Sequence, residues 1–170
     1  MDVVGEVELR PLIFNGPVEM ALRSLSVMTL FFPMALSIQQ LVILDYLMVH
    51  SDDVDDGPTG IHPQTPYRGG ELVVRRDYLL HGLRLLASRG LCISVYDEDG
   101  MRYAASDRAG GFLDALTSQY SKNLRVRAGW VQTKFGETTE ADLFAYIDEN
   151  IANWGVEFAL VPDIVLEGAS

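Results

Sequence analysis

Cysteine is almost missing from this sequence: Cys92 is the only one, so no disulfide can form within the chain. That usage suits a reducing compartment, the cytoplasm. Positive charge is also scarce, with thirteen Lys and Arg against twenty-four Asp and Glu and a formal net charge of −11. Such a balance argues against a protein that simply coats nucleic acid. The opening MDVVGEVELR lacks the basic start and apolar core of a signal peptide. No internal repeat and no low-complexity tract interrupts the chain. One stretch, Ser24 to Leu44, carries no charge for 21 residues and is long enough to cross a bilayer. Pro33, Ser37, Gln39 and Gln40 break it in the middle, and it reads as two helices instead.

What remains is globular. With 48% hydrophobic and 22% charged residues, a chain of 170 suits one domain with arms. Its charge is unevenly spread. Residues 68–134 hold eleven basic and seven acidic residues, residues 1–67 hold two and nine, and residues 135–170 hold none and eight. A mildly basic middle lies between acidic ends, which repel DNA, dock a basic partner or only keep the protein soluble.

The most informative stretch runs from Glu71 to Ala105. Leu72, Val73, Leu79, Leu80, Leu83 and Leu86 fall near the spacing of a half-buried helix, with Arg75, Arg76, Arg84 and Arg89 among them. Gly90 follows as a stop. LCISVY and MRYAA flank Asp97-Glu98-Asp99-Gly100, a hairpin pattern. Helix plus hairpin is the second half of a winged helix.

Upstream, 1–14 reads as an extended arm. Pro17 opens a helix that Pro33 stops, and Ser37 with Gln40 forms a capping box for a second helix to about His50. Residues 51–70 have no period. Downstream, helices are expected over Ala109–Leu116, Ser118–Phe135 and Glu140–Ile151, the last capped by Thr139. The expected fold is mainly α with a small β-hairpin: a winged-helix-like helical domain of about six helices over 15–136, with extended N- and C-terminal arms. Residues 137–170 form an acidic helix and an apolar segment containing Trp154, Phe158, Leu160, Val161 and Ile164. That segment is a docking element or a piece that covers the core.

Chemistry is hard to find. Asp52, Asp53, Asp55 and Asp56 do not make a calcium loop, because the twelfth place counted from Asp52 is Pro63 rather than Glu. Gly57 to Gly60 lacks the Lys-Ser/Thr of a phosphate loop. His50, His62 and His81 have no HExxH or CxxC context, and no serine lies in GxSxG. Asp163 and Glu167 lack the lysine that a nuclease site would use. Cys92, alternating with Ile93 and Val95, reads as a packed or edge thiol. No catalytic residue, cofactor or metal is assigned.

The arginines are the best site candidates: Arg68, Arg75, Arg76, Arg84, Arg89 and Arg102. A winged helix would set the Arg-bearing helix in the major groove and the hairpin on the backbone. Three acids at the hairpin tip would oppose phosphate. Salt bridges within the chain or a protein contact account for the arginines equally.

Three runs carry a family resemblance. They are FN-x-P-x-E (Phe14, Asn15, Pro17, Glu19), DYLMVHS (Asp45 to Ser51) and HP-x-x-P-x-R-x-GEL-x-x-RR (His62 to Arg76). From Phe14 to Gly136 the chain resembles the middle component, second type, of bacterial ABC-three-component defence systems, related to the small subunit of Lamassu systems. The resemblance implies a non-enzymatic adaptor subunit in anti-phage or anti-plasmid defence. Its partners would be an SMC- or Rad50-like ATPase and a separate effector, often a nuclease, with DNA reached through the assembled complex and no membrane. Arg68, Glu71, Arg75 and Arg76 match the family pattern without an assigned role. A free-standing winged-helix DNA-binding regulator is the competing reading, and a small hydrolase or metal enzyme built on the 51–70 loop is a third.

Overall fold

The computed structural model describes residues 16–62 and 68–154, with the backbone alone over 68–74 and 151–154. The expected N-terminal arm, and the C-terminal segment beyond Trp154, lie outside the described residues. The described chain is six helices and one antiparallel hairpin. In order these are α1 (Pro17–Phe31), α2 (Ile38–Val49), α3 (Arg68–Ser88), β1 (Cys92–Asp97), β2 (Gly100–Ala105), α4 (Ala109–Asp114), α5 (Gln119–Phe135) and α6 (Glu140–Trp154).

Local chemistry explains most boundaries. Pro17 sits in the first turn of α1, where a missing N–H costs nothing, and Gly16 precedes it as the N-cap. Ser37 caps α2 through a full capping box: its Oγ accepts from Gln40 N, and Gln40 Oε1 accepts from Ser37 N at 2.9 Å. Ser118 and Thr139 cap α5 and α6 through their hydroxyls alone, accepting from Ser121 N and Asp142 N. Helix α3 ends in a Schellman turn: Leu91 N–H donates to Leu86 O at 2.9 Å and Gly90 N–H to Ala87 O at 3.1 Å. Gly90 takes φ of 68°, the left-handed conformation that this stop requires.

Helix α1 packs against α3 and α5, and α2 packs against α1, α3, α5 and α6. Every residue from Gln40 to Val49 is buried. A helix apolar on all sides belongs inside a bundle. The uncharged run thus divides as expected, into the end of α1, a turn containing a cis Phe32–Pro33 bond, and α2. No helix among the described residues is long and apolar enough to cross a membrane.

Two contacts fix the layout around the core. A Cβ on Gly82 of α3 would stand 2.8 Å from Ala21 N, so the α1 and α3 backbones approach as closely as glycine allows. The hairpin is anchored by an isolated bridge between Leu36 and Tyr103, which ties β2 to the turn before α2.

Candidate functional site

The middle of the bundle contains a buried polar cluster. Helix α1 brings Glu19 and Arg23, one turn apart on one face. Helix α2 brings Asp45 and Tyr46, α3 brings Arg75, the segment after α2 brings His62, and α5 brings Tyr120. Arg23, Asp45 and Arg75 are 0%, 1% and 2% exposed.

Asp45 holds two guanidinium groups. Arg23 grips it as a fork, Nε donating to Oδ1 at 2.7 Å and Nη2 to Oδ2 at 2.8 Å. Arg75 Nη1 donates to Oδ2 at 2.5 Å, and its guanidinium lies over the Tyr46 ring, 5.6 Å from the centroid. Burial alone would raise the Asp45 carboxyl, but Arg23 and then Arg75 hold it below the ordinary carboxylate value. Burial works against the charge on Arg23 too, and Asp45 more than reverses it. Two guanidinium groups thus share one carboxylate, and each is hydrogen-bonded to it, which lets the three ions be buried together.

A second layer continues toward α5. The His62 ring nitrogen Nε2 lies 2.9 Å from Tyr120 Oη, and Tyr120 also hydrogen-bonds Glu19. One hydroxyl serves both if neutral His62 donates to Tyr120 and Tyr120 donates to Glu19. Burial, then the Arg23 charge, lowers His62 to about 3, so it is neutral at physiological pH. Burial raises Glu19, against the Tyr120 bond and Arg23. Tyr120 is raised by burial and then by Glu19.

The segment after α2 is folded back on that helix. Ile61 and His62 N–H both donate to Val49 O, Ser51 Oγ donates to Pro58 O, and Tyr46 Oη donates to Asp53. Arg127 of α5 clasps Thr59 O through Nε and Nη2. The acidic turn therefore has a structural task, and among the described residues no group of His, Cys, Asp or Glu could hold a metal ion. A cleft of about 420 Å³ lies between Thr59–Ile61 and α5, lined by Tyr120, Asn123, Val126 and Arg127.

The six arginines do not form one surface. Arg75 faces inward, sealed on Asp45, which removes it from any outer face. Arg102 is bound on three sides: Nε donates to Asp97 at 3.0 Å, Nη1 to Gln40 Oε1 at 3.1 Å and Nη2 to Glu140 at 3.0 Å. With Ser37 Oγ donating to Glu140 at 2.6 Å, it joins the hairpin to the starts of α2 and α6. Arg76 is half-buried, while Arg84 and Arg89 are exposed along the end of α3. Arg68 opens α3, and its side chain lies outside the described residues, as does that of Trp154. Phe158, Leu160, Val161 and Ile164 lie wholly outside them. Cys92 is buried, and burial raises its thiol to about 11.

The cluster gathers what the three sequence runs had kept apart: Glu19 from the first, Asp45 from the second, His62 and Arg75 from the third. A family model described as ABC-three component (ABC-3C) system Middle Component 2 matches residues 13–157. The chain belongs to that family. It is thereby a middle component of a multi-component defence system. No curated protein and no solved structure matches it.

Arg23 and Tyr120 are the cluster members that pattern reasoning passed over. Arg23 stands among mostly apolar neighbours in the first helix and belongs to none of the three runs. One signal was available, because Arg23 and Asp45 are the two charges that bound the uncharged run, and each had to find a partner or a route to water.

Proposed function

We propose that this middle component is a non-catalytic adaptor that bridges an SMC- or Rad50-like ATPase and an effector, a nuclease, in anti-phage or anti-plasmid defence. The observation that carries this reading is the fate of the motif residues. Asp45, His62 and Arg75, the polar groups of the family pattern best placed for chemistry, are buried in one polar cluster, Arg75 on Asp45 and neutral His62 on Tyr120. A catalytic set must meet its substrate, and Asp45, His62 and Arg75 are 1%, 7% and 2% exposed.

Arg68, Arg76, Arg84 and Arg89 are the candidate contacts in this reading, as separate points rather than one face. Trp154, Phe158, Leu160, Val161 and Ile164 supply an apolar docking segment. The regulator reading is weaker, since Arg75 and Arg102 are already engaged within the chain and the hairpin tip presents Asp97, Glu98 and Asp99. Fluorescence anisotropy with short duplex DNA, over a range of salt, separates the two. An adaptor shows little affinity alone and co-purifies with a large ATPase from its native host. Tight duplex binding by the isolated chain, falling steeply with salt, would overturn the proposal.

A further inference from the structure

The hairpin has one covered edge and one open edge. On the covered side, Leu36 N–H donates to Tyr103 O and Tyr103 N–H to Leu36 O, both at 2.8 Å. Tyr103 therefore turns its backbone groups away from β1. Its cross-strand partner is Ser94, and facing residues of an antiparallel pair either bond each other or both point outward. Ser94 thus points its N–H and C=O away from β2, and by alternation Cys92 and Tyr96 do the same. Among the described residues, no backbone hydrogen bond reaches the outer groups of Ser94 or Tyr96.

Natural edge strands are blunted by lysine, proline, bulges or a covering segment. β1 has no lysine or proline, and its six-residue register with β2 runs without a bulge. Ile93, Val95 and Tyr96 are 51%, 37% and 77% exposed.

We propose that this edge pairs antiparallel with the same edge of a second copy, about a two-fold axis at Ser94. In that register Ser94 faces Ser94, Cys92 faces Tyr96, and Ile93 of each copy stands beside Val95 of the other. Charge selects this occupant. Arg89 lies just before β1, and the Arg108 guanidinium would lie 3.3 Å from a Cβ on Gly90. Asp97, Glu98 and Asp99 lie at the other end. Antiparallel self-pairing sets the acidic tip of each copy against the basic end of the other, and two-fold symmetry makes that contact twice. A single short strand is a small interface, so the dimer is weak and concentration-dependent. The inference stands apart from the adaptor reading.

Sedimentation equilibrium of the full chain from ~10 µM to ~1 mM tests it. The weight-average mass rises from that of one 18.9 kDa chain toward twice that value. Ser94→Pro removes only an outward N–H, so it leaves the β2 ladder intact and holds the protein monomeric. Arg89→Asp and Asp99→Arg each weaken the dimer about tenfold, and the doubly swapped chain recovers it. Because those two sites are exposed, this arm stands even if the proline variant misfolds. A wild type that stays monomeric at ~1 mM would overturn self-pairing and give the edge to another protein's strand. Dimerisation indifferent to Ser94→Pro, or a double swap that fails to recover, would overturn it equally.

Discussion

Arg23 and Asp45 stand 22 positions apart and meet as a two-bond fork, 2.7 and 2.8 Å long, in the middle of the bundle. They close the ends of the uncharged run across the α1–α2 turn, so that the longest apolar stretch of the chain is pinned by the charges at its borders. Apolar helices alone slide and rotate easily. A forked ion pair has one geometry, and Arg75 joins it from α3, which fixes the rotation of three helices together.

Replacing Asp45 with Asn keeps the shape and removes the charge, leaving two buried guanidinium groups without their carboxylate. The expected loss is ~3–5 kcal/mol of unfolding free energy in urea titrations. Arg23→Met should cost less in the Asp45→Asn background than in wild type, with a coupling of about 1–3 kcal/mol. Independent, additive costs would mean that the fork contributes nothing specific.

Acid should weaken the fold through His62. Its ordinary pKa of 6.5 falls to about 3 on folding, so the unfolded chain takes up a proton before the folded one does. The stability this group provides is complete above pH 6.5 and is lost as pH falls toward 3, by up to about 1.4 kcal/mol per pH unit. Glu19 acts in the opposite sense, because burial raises its pKa and its ionised form opposes folding above its ordinary 4.5. Asp45 adds a further loss only below its ordinary 3.8. Thermal melts from pH 7.5 to 5 should show a falling Tm, and His62→Gln should flatten that slope. An unchanged slope in the variant would remove His62 from the account.

Two glycine-to-alanine changes, one at the α1–α3 crossing and one on α5, should have opposite outcomes. Gly82→Ala drives a methyl into the Ala21 backbone at 2.8 Å, which does not yield as a side chain would. Overpacking costs ~1–3 kcal/mol, beyond the ~1 kcal/mol gained from helix propensity. Gly129 of α5 meets nothing within 4 Å of the added Cβ, so Gly129→Ala should stabilise by about 0.5–1 kcal/mol. Paired melts check both signs.

Cys92 should be inert while the protein is folded. Its thiol, raised to about 11 by burial, leaves about 0.1% thiolate at pH 8, and its Sγ sits 3.6 Å from Leu83 O. Ellman's reagent should find no fast thiol until denaturant is added, and a rapid native reaction would show that the strand opens.

The elements were legible in the sequence because their signals are local: Pro17, Ser37, Gly90, Thr139 and the Asp-Gly hairpin act over a few residues. The candidate cluster was not, because each member depends on a partner on another helix. Glu19, Asp45 and Arg75 are visible only as pieces of separate motifs, and Tyr120 belongs to none of them. Arg102 could be read as a phosphate contact until Glu140, 38 residues away, was placed beside it.

The adaptor claim is tested most directly by native mass measurement of the ATPase and effector mixed with and without this chain. The account predicts one complex containing all three, and separate ATPase and effector when the chain is left out. Removing 153–170 should leave the α-helical circular dichroism and the melt largely intact while abolishing the complex. ATPase and effector joining equally well without this chain would contradict it.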